Sequence, residues 1–340
     1  MSPAMSQRAR VVAFAVVVVL SVAAVVGYAL LSRPAPTART PTSAPTIGRA
    51  ELAQVEAVPH LVYRSTALGP DFGKVAMSTL ADPGGPRAVT DDACERVDQR
   101  GGTTLCLRSR PGVVLGSSVT AWDRSGHVTY RRNLPGVPSR ARLSPDGTLA
   151  ATTAFVTGDS YLSAGFATRT YVHDLAAGTA VHLEDLTLSH EGRVIRPVDR
   201  NYWGVTFVDD DTFYVTVAFD GRPWLARGSL SRRSVTTVRS GAECPAVSPD
   251  GRRVAYKKLQ PSSRGWRIAV LDLAAGTERL LAETRSVDDQ VQWLDDATVL
   301  YGLPLTGARG GETDLWVVAA DGTGAPRLLV PQAWSASVVR

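Results

Sequence analysis

From about residue 60 onward, short apolar runs alternate with clusters of turn residues, and no long helical period appears. Two turns are nearly identical, Ser144-Pro145-Asp146-Gly147 and Ser248-Pro249-Asp250-Gly251, each between runs rich in Val, Ala, Thr and Tyr. Pro presets φ for the first corner of a type I turn, and Asp is easily placed at the second. Gly then takes the positive φ that closes a short hairpin with a bulge. A second hairpin, Asp-Leu-Ala-Ala-Gly-Thr, occurs at 174–179 and again at 272–277. Stretches 208–212 and 294–297 are weaker copies of the first kind, and 122–126 and 320–324 of the second.

Alternating the two hairpins gives four-stranded units of roughly 45 residues, the blade period of a β-propeller. The pattern predicts blades near 94–134, 140–184, 204–239, 243–283 and 289–330. Three strands within 60–90 and one at 334–340 make a sixth, with the C-terminal strand innermost. The expected fold is all-β: a six-bladed propeller over 56–340, closed by pairing of the C-terminal strand with the N-terminal ones. Such closure removes the open edge of a stack of sheets.

The N-terminal part has another character. Residues 11–31 form an unbroken apolar run, long enough for the about 20 residues that a membrane span needs. A cleaved signal peptide, the alternative, has a shorter apolar region of about 7–15 residues. Arg8 and Arg10 favour a cytoplasmic tail at 1–10, although Arg33 and Arg39 weaken the asymmetry. Residues 32–55 are rich in Pro, Thr and Ala and read as an extended tether, with the folded part starting between Glu51 and His60. Expected is a single-pass cell-membrane protein whose C-terminal domain lies outside the cytoplasm.

Charge adds little to this. The formal net charge is +5, but Lys occurs only at 74, 257 and 258, so the Arg excess reads as the coding bias of a GC-rich genome. No basic run interleaved with aromatics supports a nucleic-acid partner.

Ser-Pro-Asp-Gly at 144–147 and 248–251, with the Ala-Asp-Gly turn at 320–322 and the Asp-Leu-Ala-Ala-Gly turn at 272–276, resembles the repeat of TolB-like six-bladed propellers. The resemblance spans nearly all of 60–340; the blades at 94–134 and 204–239 lack the Ser-Pro-Asp-Gly form. It implies an extracytoplasmic scaffold that binds proteins or envelope components.

Few residues suggest chemistry. Cys94 and Cys106 lie symmetrically about Arg100 across a predicted hairpin, close enough for a disulfide in an oxidising compartment; two buried thiols are the alternative. Cys244 is left over as a small apolar residue. The five His show no metal spacing, although His173 and His182 are expected to face each other across one hairpin. The acidic runs 209–211 and 295–296 occupy turn slots. No cofactor and no nucleophile elbow are expected. Insertions concentrate in loops on one side of the ring, at 157–168, 184–203, 261–265 and 306–312. They nominate Tyr161, Arg193, Arg196, Arg200, Tyr202, Trp203, Arg264 and Arg309 as a partner-binding face. The expected function is a non-catalytic, membrane-tethered scaffold. A hydrolase or lyase with its site in the central channel is the alternative, and it would need converging His and carboxylates.

Overall fold

A computed structural model describes residues 7–31, 47–112, 115–156, 167–261 and 265–340. The chain divides into two units, one up to residue 42 and one from residue 43 onward. In the first, Gln7–Leu31 forms a helix of 25 residues, α1. Among the described residues no helix is long and apolar enough to cross a membrane.

In the second unit a short helix α2 (Leu52–Glu56) precedes β1 (His60–Ser65), β2 (Lys74–Thr79) and β3 (Ala88–Ala93). A second blade holds β4 (Arg96–Arg100), β5 (Thr103–Arg110), β6 (Gly116–Trp122) and β7 (Val128–Pro135). A third holds β8 (Val137–Leu143), β9 (Leu149–Val156), β10 (Ala167–Asp174) and β11 (Thr179–His182). The hairpin of β12 (Thr187–His190) and β13 (Arg193–Ile195) leads into β14 (Asn201–Phe207), β15 (Thr212–Phe219), β16 (Arg222–Ser229) and β17 (Ser234–Ser240). Next come β18 (Glu243–Val247), β19 (Arg253–Gln260), β20 (Gly265–Asp272) and β21 (Glu278–Leu280). The last blade holds β22 (Gln292–Asp295), β23 (Thr298–Pro304), β24 (Thr313–Ala319) and β25 (Arg327–Val330). Finally β26 (Ala333–Val339) pairs antiparallel with β1, giving the first sheet the order β26-β1-β2-β3.

The result is a six-bladed propeller. Its innermost strands β26, β4, β8, β14, β18 and β22 touch one another in that cyclic order. Apolar faces of neighbouring blades fill the space between them. Leu105, Leu107 and Val119 of the second blade pack on Leu143 and Ala150 of the third. Leu61 and Tyr63 pack on Leu300, Leu315 and Val317, so the first blade rests directly on the last.

The turn chemistry is that of the sequence. Gly147 N–H donates to Ser144 O at 3.0 Å and Gly251 N–H to Ser248 O at 2.9 Å, the four-residue closure of a β-turn. Asp146 Oδ1 accepts from Ser144 Oγ and Thr148 N, and Asp250 Oδ1 accepts from Ser248 Oγ and Arg252 N. In the second kind, the Asp174 and Asp272 carboxylates each accept two backbone N–H groups of the turn. Gly147 is needed for a further reason: a Cβ there would lie 2.4 Å from Arg100 O, where the turns of two blades meet.

Three expectations need correction. The stretch 184–203 is not a loop: β12 pairs in parallel with β17 and carries β13, widening the fourth blade to six strands. The end of the expected linker belongs to the fold, since Ala50 N and Gly48 O bond to Arg87, and Val55 of α2 is buried. Cys94 and Cys106 are bridged, with Cα atoms 5.5 Å apart, but not as partners in one hairpin. The β4–β5 register pairs Arg100 with Thr103, which puts Val97 opposite Cys106. Cys94 lies in the crossing from β3 to β4, where its N–H donates to Gly73 O.

An inner strand has a paired neighbour on one side only, so its axial backbone groups need other partners. Adjacent blades supply them. Ser335 Oγ accepts from Val97 N and Ser337 Oγ from Gln99 N, both at 3.1 Å, and each hydroxyl donates back to the carbonyl of the same residue. Asp98 Oδ2 accepts from Leu143 N at 2.7 Å, and Thr206 Oγ1 from Val247 N at 3.2 Å. Bulges at Gly204, Cys244 and Ser335, all at positive φ, bend β14, β18 and β26. An amide stripped of its partner in this setting costs about 1–3 kcal/mol. Ser337→Ala is therefore expected to lower unfolding free energy by that amount in urea titration, whereas Ser125→Ala, on an exposed turn, leaves it unchanged. An unshifted midpoint for Ser337→Ala contradicts the stitching.

Candidate functional site

The inner strands bring polar side chains to the propeller axis. β4 contributes Arg96 and Asp98, β8 contributes Arg140 and Arg142, and Asp288, Asp289 and Gln290 come from the approach to β22. Arg96 Nη1 lies 3.3 Å from Asp289 Oδ1, with its guanidinium 4.6 Å from the Trp334 ring centroid. Lys257 Nζ lies 2.5 Å from Asp288 Oδ1 and 4.5 Å from the Trp266 ring centroid. Arg96, Arg140, Ala141, Arg142, Asp289, Gln290 and Ser335 leave a gap of only about 10 Å³, room for about one water molecule. These side chains pack closely around the axis at this level.

Positive charge is in excess here. Arg140 and Arg142 have no ion-pair partner among the described residues. Burial, with Arg140 beside it, pulls Arg96 down to about 10 in spite of Asp289. Burial also lowers Arg142, with Asp98 opposing and Arg100 adding to the shift. Burial works against the Asp288 carboxylate, but Lys257, Arg140 and Arg96 outweigh it and hold Asp288 below its usual value. Nothing in the sequence motifs marks these residues. The one signal was Arg140 and Arg142, two polar residues in period two just ahead of the Ser-Pro-Asp-Gly turn, hence on an inner strand and facing one way.

Below the level of Arg96 and Arg140 the channel opens into a cavity of about 220 Å³ at the end where the Ser-Pro-Asp-Gly turns lie. Arg100, Arg142, Phe207, Val247, Gln292 and Val338 line it, one from each of the six inner strands, which places it on the axis.

Of the six described residues nominated as a partner face, only Arg193 and Arg196 are exposed. Arg193 and Arg196 are exposed on and beside β13, with no ion pair among the described residues. Arg200 is tied down, donating to Pro197 O and Glu184 O at 3.0 Å each. Tyr202, 1% exposed, and Trp203 are buried in β14 rather than displayed, because both belong to an innermost strand covered by its neighbours. Arg309 is engaged by Glu312 at 2.7 Å and Asp314 at 3.0 Å. Tyr161 and Arg264 lie outside the described residues.

Among the described residues no group of three or more His, Cys, Asp or Glu could hold a metal ion. His173 and His182 do not face each other: the register sets Tyr171 opposite His182 and Ala180 opposite His173. The acidic runs serve turns, Asp209 accepting from Asp211 N and Thr212 N, and Asp295 from Ala297 N.

No family model matches the sequence, and no curated protein matches it. Among solved structures, TolB from Acinetobacter baumannii is similar at 17% identity with a TM-score of 0.61, over 82% of this chain and 66% of that one. The fold is TolB-like. The chain spans just under two thirds of the length of that TolB, and likeness at this identity concerns the fold alone. A puromycin-hydrolysing peptidase of Mycobacterium tuberculosis is matched at 14% identity and a TM-score of 0.48, over 81% of this chain and 45% of that one. An oligogalacturonate lyase is matched at 10% and 0.45, over 76% and 75%. Scores this low carry no argument about activity.

His173 generates a test of its structural role. It is buried between Tyr130 Oη at 3.0 Å and Thr152 Oγ1 at 2.8 Å, and burial, with Arg132 nearby, lowers its pKa to about 3. The unfolded chain takes up a proton on this ring below about pH 6.5. Between those values the unfolded state binds more protons, so stability falls as pH drops, by up to about 1.4 kcal/mol per unit. His173→Gln removes this contribution. Urea unfolding of wild type and variant at pH 7 and pH 5 should show the difference moving toward the variant by about 2 kcal/mol at the lower pH. A pH-independent difference contradicts the neutral, buried ring.

Proposed function

We propose that the protein is a membrane-tethered, extracytoplasmic propeller that binds a protein or envelope component without catalysis. The observation that carries this reading is the β12–β13 hairpin. It extends the fourth blade to six strands and presents Arg193, Arg196, Val194 (61% exposed) and Val198 (79% exposed) on its outer part. An ordered hairpin displaying unpaired Arg beside exposed Val combines residue types that anchor interfaces with a backbone already fixed, which reduces the ordering cost of binding. The apolar run at 11–31 and the Pro- and Thr-rich segment after it support a tether. The resemblance to TolB-like propellers supports a scaffold. A channel enzyme is the second reading: carboxylates do reach the axis, but Asp288 and Asp289 are engaged by Lys257 and Arg96.

The test uses the full-length chain as bait in detergent-solubilised envelope. Intact protein should stay in the membrane pellet after carbonate washing. Partner capture should fall about tenfold or more on replacing Arg193, Val194, Arg196 and Val198 together by Ala, and hold when Arg124, in the β6–β7 turn of another blade, is replaced. Equal capture by both variants, or a shorter soluble form, contradicts the proposal.

A further inference from the structure

We propose that the axial cavity at the Ser-Pro-Asp-Gly end of the channel is a binding site for an organic anion, a carboxylate or phosphate carried on an apolar body. This site lies away from the β12–β13 hairpin and does not depend on the partner reading.

Arg142 is the centre of the site. Only 7% of it is exposed. Its Nη1 donates to Ala141 O at 3.2 Å, and its Nη2 to Gln290 O at 3.4 Å and Val291 O at 3.2 Å. A guanidinium has five N–H donors in a fixed fork, and Nε of Arg142 is buried with no acceptor. The bonds to Gln290 and Val291 carry Arg142 across the axis to the start of β22, beside Gln292. Gln292 is 6% exposed, its Oε1 takes Trp293 N at 3.1 Å, and its Nε2 is buried without a partner. Two buried side chains on different blades, both lining the cavity, thus each keep a donor that meets no acceptor among the described residues. Arg100 and Arg142 share one buried carboxylate, Asp98, so the pair keeps an excess of positive charge; that excess and the unmet donors are unfavourable, and an anion relieves them.

The rest of the lining sets the ligand class. Arg100 adds a second guanidinium; its link to the fully buried Asp98 is long, 3.8 Å. Leu143, Phe207, Val247, Trp293 and Val338 supply the apolar part of the wall, and Thr206, Ser248 and Arg340 line it too. Cationic donors beside these apolar groups match a planar or tetrahedral anion on a hydrophobic stem rather than a free ion. The volume of about 220 Å³ is below the about 300–1,000 Å³ of sites that enclose a drug-sized ligand. Only the anionic end and the first part of the stem fit, with the remainder in solvent. The ligand is then either a small free molecule or the anionic end of a larger one.

Isothermal titration of the full-length protein in detergent micelles, with phenyl phosphate, benzoate, inorganic phosphate and phenol, tests the site. The expected result is saturable, single-site binding of phenyl phosphate or benzoate, at least about tenfold tighter than inorganic phosphate, and none of phenol. Arg142→Gln should weaken the binding by about tenfold or more, while Arg222→Gln, exposed on another part of the ring, should not change it. Gln292→Glu leaves Arg142 unchanged and adds a carboxylate to the cavity lining, so it should weaken binding even if Arg142→Gln fails to fold. An alkyl phosphate of about twelve carbons that competes with phenyl phosphate would point to the end of a larger molecule; benzoate or phenyl phosphate alone, to a small one. Absence of binding for all three anions, equal binding by wild type and Gln292→Glu, or inorganic phosphate binding as tightly as phenyl phosphate overturns the proposal.

Discussion

An inner blade strand has a hydrogen-bonding edge and no strand to pair with it. The edges meet at the axis, where they are too buried to be satisfied freely by water and where the ring geometry keeps them from pairing as a sheet. Side chains reaching from blade to blade resolve this. Ser335 and Ser337 bracket the backbone of β4, Asp98 holds β8, and Thr206 holds β18. Gln290 and Trp293 return the favour from the last blade, donating to Val205 O at 3.0 Å and Ala246 O at 2.8 Å. Because these bonds join different blades, the ring behaves as one unit and closure by β26 matters to β4 as much as to β1.

The same requirement explains the charges. Side chains on inner strands that do not pack between blades must point to the axis, so polar and charged residues collect there. Some neutralise one another, as Arg96 does with Asp289 and Lys257 with Asp288. Arg142 is hydrogen-bonded chiefly by backbone carbonyls and shares the Asp98 carboxylate with Arg100. Below the tightly packed level of Arg96 and Arg140, Arg100, Arg142 and Gln292 line the cavity at the Ser-Pro-Asp-Gly end.

The blade plan was legible because turn chemistry is local: Ser-Pro-Asp-Gly and Asp-Leu-Ala-Ala-Gly dictate their own geometry within a few residues. Pairing of Cys94 with Cys106 was legible from proximity, yet the register was not. The hairpin turns on Gly101 and Gly102, both at positive φ, rather than on Arg100. The stretch 184–203 read as a loop because β12 and β13 are only four and three residues long and pair with an edge formed fifty residues later. Its burial of Tyr202 and Trp203 follows from the start of β14, a boundary that aromatic content alone does not place. The axial cluster was missed for a related reason. Its members are up to about two hundred residues apart, and only closing the ring makes them neighbours.

Native-state hydrogen exchange at the axial amides tests the blade-to-blade stitching most directly. Val97, Gln99, Leu143 and Val247 donate to side chains of neighbouring blades and to no paired strand on that edge. The account predicts that these four exchange only through global unfolding, with protection equal to that of amides in the middle strands of the blades. Exchange at these four through local opening, while the middle strands stay protected, would contradict it.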